Sequence, residues 1–303
     1  MHKILVTWKY FGFGDKKENI NRLFLKYNCF GELISLEEAI PRLAEFEGII
    51  VGTDKITPEI LDKAPNLKVI MKYGVGTDNI DKEAAKERNI QVLNLPGINC
   101  DAVAELILGL ILALARKIVI ADKLLRKGHW TPLLGVSIQG KTLGIIGTGA
   151  VGTALTRMVY SLKMKVIGYD ILPNKNFINY AGQYMERDEV FRKADFVSIH
   201  IPLNNQTFHS IGTKEFELMK GTAFLINASR GAIVNERDLF ESVSEKKIAG
   251  AAVDVFETEP PSNSPLIKLD NVITTPHLAA FTYETFRRMD KESVAKLSKV
   301  FDT

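Results

Sequence analysis

The segment Gly147-Thr148-Gly149-Ala150-Val151-Gly152 follows the apolar run Leu143-Gly144-Ile145-Ile146 and leads into an amphipathic stretch. In that setting a G-x-G-x-x-G spacing can hold a dinucleotide. Gly147 would make the tight turn, Gly149 would admit the pyrophosphate close to the backbone, and Gly152 would let helix and strand pack closely. The N–H groups at the start of the helix would stabilise the phosphate charge. The glycines alone also fit an ordinary strand-to-helix turn with a capping Asp. What favours the dinucleotide is Asp170, which ends the next strand-like run 18 residues after Gly152. A carboxylate there accepts from ribose hydroxyls and repels a ribose phosphate, so the expected cofactor is NAD rather than NADP.

Hydride transfer at a carbon bearing a hydroxyl needs a base for the proton, a cation for any substrate carboxylate, and a neighbour that tunes the base. The chain has five histidines. His2 is terminal, His129 adjoins Trp130, His209 lies in a polar stretch and His200 ends a strand-like run. His277 follows Pro276 at the end of the run Val272–Thr275, at the carboxyl edge where open α/β sheets bind ligands. Arg230 lies past another such run in Asn227-Ala228-Ser229-Arg230-Gly231, where its planar fork could meet a carboxylate. Glu259 lies past a third, in Asp254-Val255-Phe256-Glu257-Thr258-Glu259-Pro260, where it could orient an imidazole and favour its charged form. Taken singly each reads equally as a surface charge or a satisfied polar group; their convergence on one sheet edge points to chemistry.

The elements that would carry these residues follow from the apolar pattern. Runs at Lys3–Thr7, Gly48–Val51, Leu67–Lys72 and Ile90–Leu95 suit strands covered on both faces. Helical patterns lie between them at Lys16–Tyr27, Pro58–Lys63 and Lys82–Asn89. A long helical pattern from Asp101 to Lys127 then crosses to a second set of runs at Lys141–Gly147, Lys165–Asp170, Asp195–His200, Ala223–Asn227, Ala249–Val255 and Val272–Thr275. Six strands complete a dinucleotide-binding sheet. The last amphipathic stretch, Tyr283 to Asp302, has no strand after it and is expected to pack back on the first domain. The sequence thus predicts an α/β protein of two parallel-sheet domains, Rossmann-like or flavodoxin-like, with the active-site cleft between them. The substrate domain spans 1–99 and 281–303, and the NAD-binding domain spans 100–280.

Composition narrows the alternatives. Across 303 residues, 39 Lys and Arg against 36 Asp and Glu leave a formal charge of +3, too little to mark a nucleic-acid partner. Two cysteines, Cys29 and Cys100, cannot build a disulfide scaffold and lack the spacing of a zinc site, so no metal is expected. The N-terminus has no signal-peptide pattern, and the longest apolar stretch, Leu106 to Ala115, is about half a bilayer span. A soluble cytoplasmic protein with no membrane partner is expected.

The ordered motifs Gly147–Gly152 with Asp170, Asn227–Gly231, Asp254–Pro260 and Thr275-Pro276-His277-Leu278-Ala279-Ala280 resemble the D-isomer-specific 2-hydroxyacid dehydrogenase family, most closely its short phosphoglycerate dehydrogenase branch. Tyr73-Gly74-Val75-Gly76-Thr77-Asp78-Asn79-Ile80-Asp81 and Asn94–Asn99 extend the likeness to nearly the whole chain. The resemblance implies that Arg230 binds the substrate carboxylate and carbonyl, that His277 is the acid/base and that Glu259 is its partner. It implies that Asp254 holds the nicotinamide carboxamide, and that main-chain N–H groups of Gly74, Val75 and Gly76, with Lys72 and Tyr73 beside them, receive the substrate. Further cofactor contacts are implied for Ala150, Val151, Ile201, Pro202, Ala228, Ser229, Arg230, His277 and Ala280. The family also implies a homodimer, with the helix near Glu105–Arg116 at the interface; a crossover helix buried inside one subunit is the alternative.

Two departures bear on the substrate. Where the phosphoglycerate branch commonly has arginines, this chain has Lys72 and Gly52-Thr53-Asp54. A lysine can neutralise phosphate only as a point charge, and Asp54 would oppose an anion. The expected activity is NAD-dependent hydride transfer at C2 of a small D-2-hydroxy or 2-oxo acid, 3-phosphoglycerate-like. The alternatives are a non-phosphorylated acid (glycerate, glyoxylate or hydroxypyruvate, lactate) or an NADH-sensing interaction protein.

Overall fold

The computed structural model describes residues 1–13, 23–24 and 26–301. Two compact units emerge, Met1–Asn99 with Ala280–Thr303, and Cys100–Ala279.

In the first unit, strands β1 (His2–Val6), β2 (Cys29–Leu33), β3 (Gly48–Val51), β4 (Val69–Lys72) and β5 (Gln91–Leu93) form a parallel sheet in the order β2-β1-β3-β4-β5. Side chains alternate across it. Ile4, Val6, Ile50, Val69 and Met71 belong to one core, and Leu5, Ile49, Val51 and Ile70 to the other. Both faces are therefore dry, which is why these strands read as unbroken apolar runs. The helix Tyr283–Ser298 lays Phe286, Met289, Val294 and Leu297 into the first of these cores, as its amphipathic pattern predicts. The Thr282 hydroxyl caps it, accepting from the Thr285 N–H at 3.1 Å. The edge strand β2 was not expected: Cys-Phe-Gly-Glu-Leu contains a glycine and a charge and offers no apolar run. Of the helix expected over Lys16–Tyr27, residues 16–22 and 25 lie outside the described residues.

In the second unit, β6 (Thr142–Ile146), β7 (Lys165–Tyr169), β8 (Gly182–Tyr184), β9 (Phe196–Ile199), β10 (Phe224–Asn227), β11 (Gly250–Val253) and β12 (Val272–Thr274) form a parallel sheet ordered β12-β11-β10-β9-β6-β7-β8. Counted from β6, this is the 3-2-1-4-5-6 order of dinucleotide-binding sheets with one strand added beyond the last. Seven strands replace the six expected; β8 is three residues of mixed polarity, below what an apolar pattern can signal. The strand order reverses between β6 and β9, which places the topological switch point at the end of β6.

The long helix expected from Asp101 to Lys127 is two helices, Cys100–Ala115 and Ile118–Arg126, broken where Lys117 adopts a left-handed φ of 54°. No Pro or Gly marks the break. The first helix buries Val103, Ile107, Leu110, Ile111 and Leu114 against the helix Ala150–Tyr160 and the sheet, and leaves Glu105, Gly109 and Arg116 exposed. The second buries none of its residues. Among the described residues no helix is long and apolar enough to cross a membrane.

Candidate active site

The glycine loop leaves β6 at the switch point. Gly147 has φ +97°, and a Cβ there would lie 2.7 Å from the His200 carbonyl carbon, so only glycine fits this turn. A Cβ on Gly152 would stand 2.3 Å from the Gly147 carbonyl oxygen, which is the close helix-to-strand packing the spacing predicts. At Gly149 a Cβ would meet nothing within 4 Å. The loop therefore keeps bare backbone at its middle glycine, directly before the helix that begins at Ala150 and runs through Val151 and Gly152. Open backbone at a helix N-terminus suits a pyrophosphate. Ile201 flanks the turn, its Cγ2 lying 3.0 Å from that same Gly147 Cβ position, and Pro202 follows it. Asp170 sits at the end of β7, where its Oδ2 accepts from the Thr148 N–H at 2.6 Å and its Oδ1 from the Leu172 N–H at 3.0 Å. Ile171 and Leu172 beside it are exposed apolar side chains suited to a flat ring. These residues fit a dinucleotide.

Further along the same carboxyl edge, β10, β11 and β12 deliver the polar groups. After β10, Asn227 is buried; its Oδ1 accepts from the Ser229 N–H and hydroxyl, and its Nδ2 donates to the Arg230 carbonyl. This side chain shapes the turn Ala228-Ser229-Arg230. Gly231 follows, and a Cβ there would lie 1.9 Å from the Phe256 carbonyl carbon. Its absence lets the Phe256–Glu257 backbone press against the arginine turn. Three residues beyond Phe256, Glu259 turns back to accept from the Phe256 N–H at 3.1 Å and from His277 Nδ1 at 2.8 Å. Burial pushes the Glu259 carboxyl up, but the His277 hydrogen bond and charge, the Phe256 N–H and the nearby Arg230 charge outweigh it and hold the carboxyl below its ordinary value. An ionised carboxylate can only accept, so His277 Nδ1 carries a proton and Nε2 is the nitrogen left for proton exchange.

His277 itself has φ +51°, unusual for a residue with a side chain. Asp254, fully buried after β11, holds this turn from three sides. Its carboxylate accepts from the Thr275 hydroxyl at 2.6 Å, the Leu278 N–H at 2.9 Å and the Ala279 N–H at 3.0 Å, and its carbonyl accepts from the His277 N–H at 2.7 Å. Asp254 is thus committed first to the backbone that carries His277. Asn227, Thr148 and Thr275 were not singled out in the sequence. The only signal for them was a small polar residue at a strand end.

In the first unit the candidate residues follow β4. The Tyr73 side chain enters the core, its hydroxyl donating to buried Asp290 at 2.7 Å, so it can offer a ligand only its main chain. The Gly74 N–H donates to the Lys72 carbonyl at 2.9 Å. The Lys72 ammonium is buried and donates to the Gly52 carbonyl and to Asn79 Oδ1. Asp54 accepts from the Thr7 hydroxyl at 2.6 Å. Ala280 opens the closing segment of this unit.

Comparison with known proteins agrees with this geometry. The description of the D-isomer specific 2-hydroxyacid dehydrogenase NAD-binding domain matches residues 108–279. A glyoxylate reductase of Thermofilum pendens is 41% identical over 283 residues, covering 88% of this chain and 81% of that protein. A D-3-phosphoglycerate dehydrogenase of Methanocaldococcus jannaschii is 40% identical over 273 residues, 88% of this chain but 52% of that one. Among solved structures, D-lactate dehydrogenase of Aquifex aeolicus, in complex with NAD and lactic acid, superposes with a TM-score of 0.86 at 27% identity, covering 99% of this chain and 95% of that one. With its two parallel-sheet domains, its NAD-binding glycine loop and these relatives, the chain is an oxidoreductase that belongs to the D-isomer specific 2-hydroxyacid dehydrogenase family.

Proposed function

We propose that this chain is an NAD-dependent reductase of short, unphosphorylated 2-oxo acids such as glyoxylate or hydroxypyruvate, run in reverse as a D-2-hydroxyacid dehydrogenase. The observation that carries the substrate reading is Lys72. Its ammonium stands where the phosphoglycerate branch commonly has an arginine, yet it is buried and donates to the Gly52 carbonyl and Asn79. Recruiting it to a phosphate would break bonds that a buried cation needs. Asp54, two residues past Gly52, is a further negative charge in that segment and accepts from the Thr7 hydroxyl.

NAD, when bound, accepts or supplies the hydride. The protein's own residues do the rest. Gly147, Gly149 and Gly152, with the helix start at Ala150 and Val151, hold the pyrophosphate, and Asp170 receives the adenosine ribose. Ile201, Pro202, Ala228, Ser229 and Ala280 line the cofactor path. The Arg230 guanidinium binds the carboxylate and the adjacent carbonyl, a pairing that its planar fork suits. In the first unit, the Val75 and Gly76 N–H groups are the main-chain donors this reading assigns to a carboxylate. His277 Nε2 gives its proton to the C2 oxygen during reduction and takes it back during oxidation, and Glu259 stabilises the imidazolium through Nδ1. Asp254 keeps the imidazole aimed by tying down its turn.

The functional unit of this reading is a homodimer. The side chains of Ile118, Val119, Leu125, Trp130 and Leu134 are large, apolar and exposed, which supports burial against a second copy.

The test is a panel of glyoxylate, hydroxypyruvate, pyruvate and 3-phosphohydroxypyruvate at fixed NADH. Higher kcat/KM for the unphosphorylated acids is expected. A preference for the phosphorylated acid would restore the phosphoglycerate reading, which the Methanocaldococcus relative supports.

A further inference from the structure

Asp170 does not stand alone at the end of β7. Thr148, the second residue of the glycine loop, is fully buried and donates to Asp170 Oδ2 twice, through its N–H at 2.6 Å and through its hydroxyl at 3.2 Å. A threonine hydroxyl has one proton, and a carboxylate can only accept. With that proton on Asp170, the contact of 2.6 Å between Thr148 Oγ1 and the Tyr184 hydroxyl is a donation from Tyr184. The Tyr184 oxygen in turn accepts from the Asn174 N–H at 2.7 Å, while its alternative acceptor, the Asn174 carbonyl, is at 3.5 Å. The donors therefore run in one direction, from Asn174 N–H to Tyr184 hydroxyl to Thr148 hydroxyl to the Asp170 carboxylate. Each bond in such a chain polarises the next. Asn174 closes the arrangement by donating through Nδ2 to the Thr148 carbonyl at 3.1 Å.

We infer that Tyr184 and Thr148 are positioning residues for cofactor choice, holding the Asp170 carboxylate fixed so that it meets a ribose hydroxyl and cannot swing aside for a ribose phosphate. An exposed aspartate on a strand end ordinarily has rotamer freedom. Here Oδ2 is held by two donors and Oδ1 by the Leu172 N–H at 3.0 Å, which leaves lone pairs for the ribose but no freedom to rotate. The discrimination is then built jointly from β7, the glycine loop and the edge strand β8 that carries Tyr184. The inference rests on the proposed role of Asp170 as the ribose acceptor.

Equilibrium binding of NADH and NADPH to the full chain, measured by calorimetry, tests it without reference to turnover. Thr148→Val removes the hydroxyl at constant shape, Tyr184→Phe removes the next donor, Thr148→Ser keeps the chain, and Asp170→Ser removes the carboxylate. The ratio of the NADPH Kd to the NADH Kd should fall about ten-fold in Thr148→Val, the scale of one hydrogen bond to a charged group, and less in Tyr184→Phe. It should stay as in the wild type in Thr148→Ser. If Asp170→Ser shifts the ratio while both Thr148→Val and Tyr184→Phe leave it within about two-fold, the positioning role is overturned and the ribose role stands. If Asp170→Ser leaves the ratio unmoved, both fail. Should Thr148→Val not fold, Tyr184→Phe against Thr148→Ser decides by the same criterion.

Discussion

His277 Nδ1 lies 2.8 Å from Glu259 Oε2, although 18 positions and two strand ends separate the two residues. Gly231 makes the contact sterically possible, because its missing Cβ admits the Phe256–Glu257 backbone that leads to Glu259. The pair leaves one imidazole nitrogen to hold the partner and one to exchange the proton.

If His277 acts on the substrate oxygen as proposed, with the cofactor anchored at the glycine loop, His277→Ala should abolish turnover while leaving the NADH Kd nearly unchanged. Steady-state assays paired with NADH titration check this. Weakened NADH binding in step with lost turnover would place His277 in the cofactor site instead.

Glu259→Gln removes the anion that favours a charged imidazole. Turnover should fall while the NADH Kd holds, because the imidazole loses the partner that orients it through Nδ1. The Glu259 carboxyl, held below its ordinary value, also makes a contribution to stability. That contribution is present above the carboxyl's unfolded value of 4.5 and is lost as pH falls through its lowered folded value. The difference in Tm between wild type and variant should therefore be full at neutral pH and shrink on acidification below pH 4.5. A constant difference across that window would dismiss the charged pair.

Arg230→Lys keeps the charge but loses the planar fork. A loss of about 2 kcal/mol or more in kcat/KM is expected, with NADH binding little altered. Near-normal kcat/KM would remove Arg230 from substrate binding.

Gly231→Ala should disable the site from a position that carries no functional group. The added methyl would lie 1.9 Å from the Phe256 carbonyl carbon, and backbone cannot yield as a flexible side chain does. Overpacking of this kind costs about 1–3 kcal/mol or more of stability, and the Glu259 segment should shift away from His277. Denaturant unfolding together with the pH profile would show both effects; a stable variant with an unchanged profile would refute the account.

The residues proposed to carry the chemistry can be picked out by reading along the chain. Gly147, Asp170, Arg230, Asp254 and His277 each lie just past an apolar run. In a sheet dry on both faces such runs are strands, and parallel strands all end at one edge. Period and position thus place these residues past the ends of parallel strands before any contact is known. Tertiary structure decided what each group spends its hydrogen bonds on. The donors that meet Asp254 arrive from the turn after β12, and the donor that orders Thr148 arrives from β8, whose three residues have no pattern to betray a strand. Tyr73 and Lys72 look like ligand contacts in sequence, yet one hydroxyl turns into the core toward Asp290 and one ammonium is taken up by Gly52 and Asn79. Local sequence sets a side chain's type and the face from which it leaves the backbone. Its partners come from segments tens to hundreds of residues away, and packing alone brings them into reach.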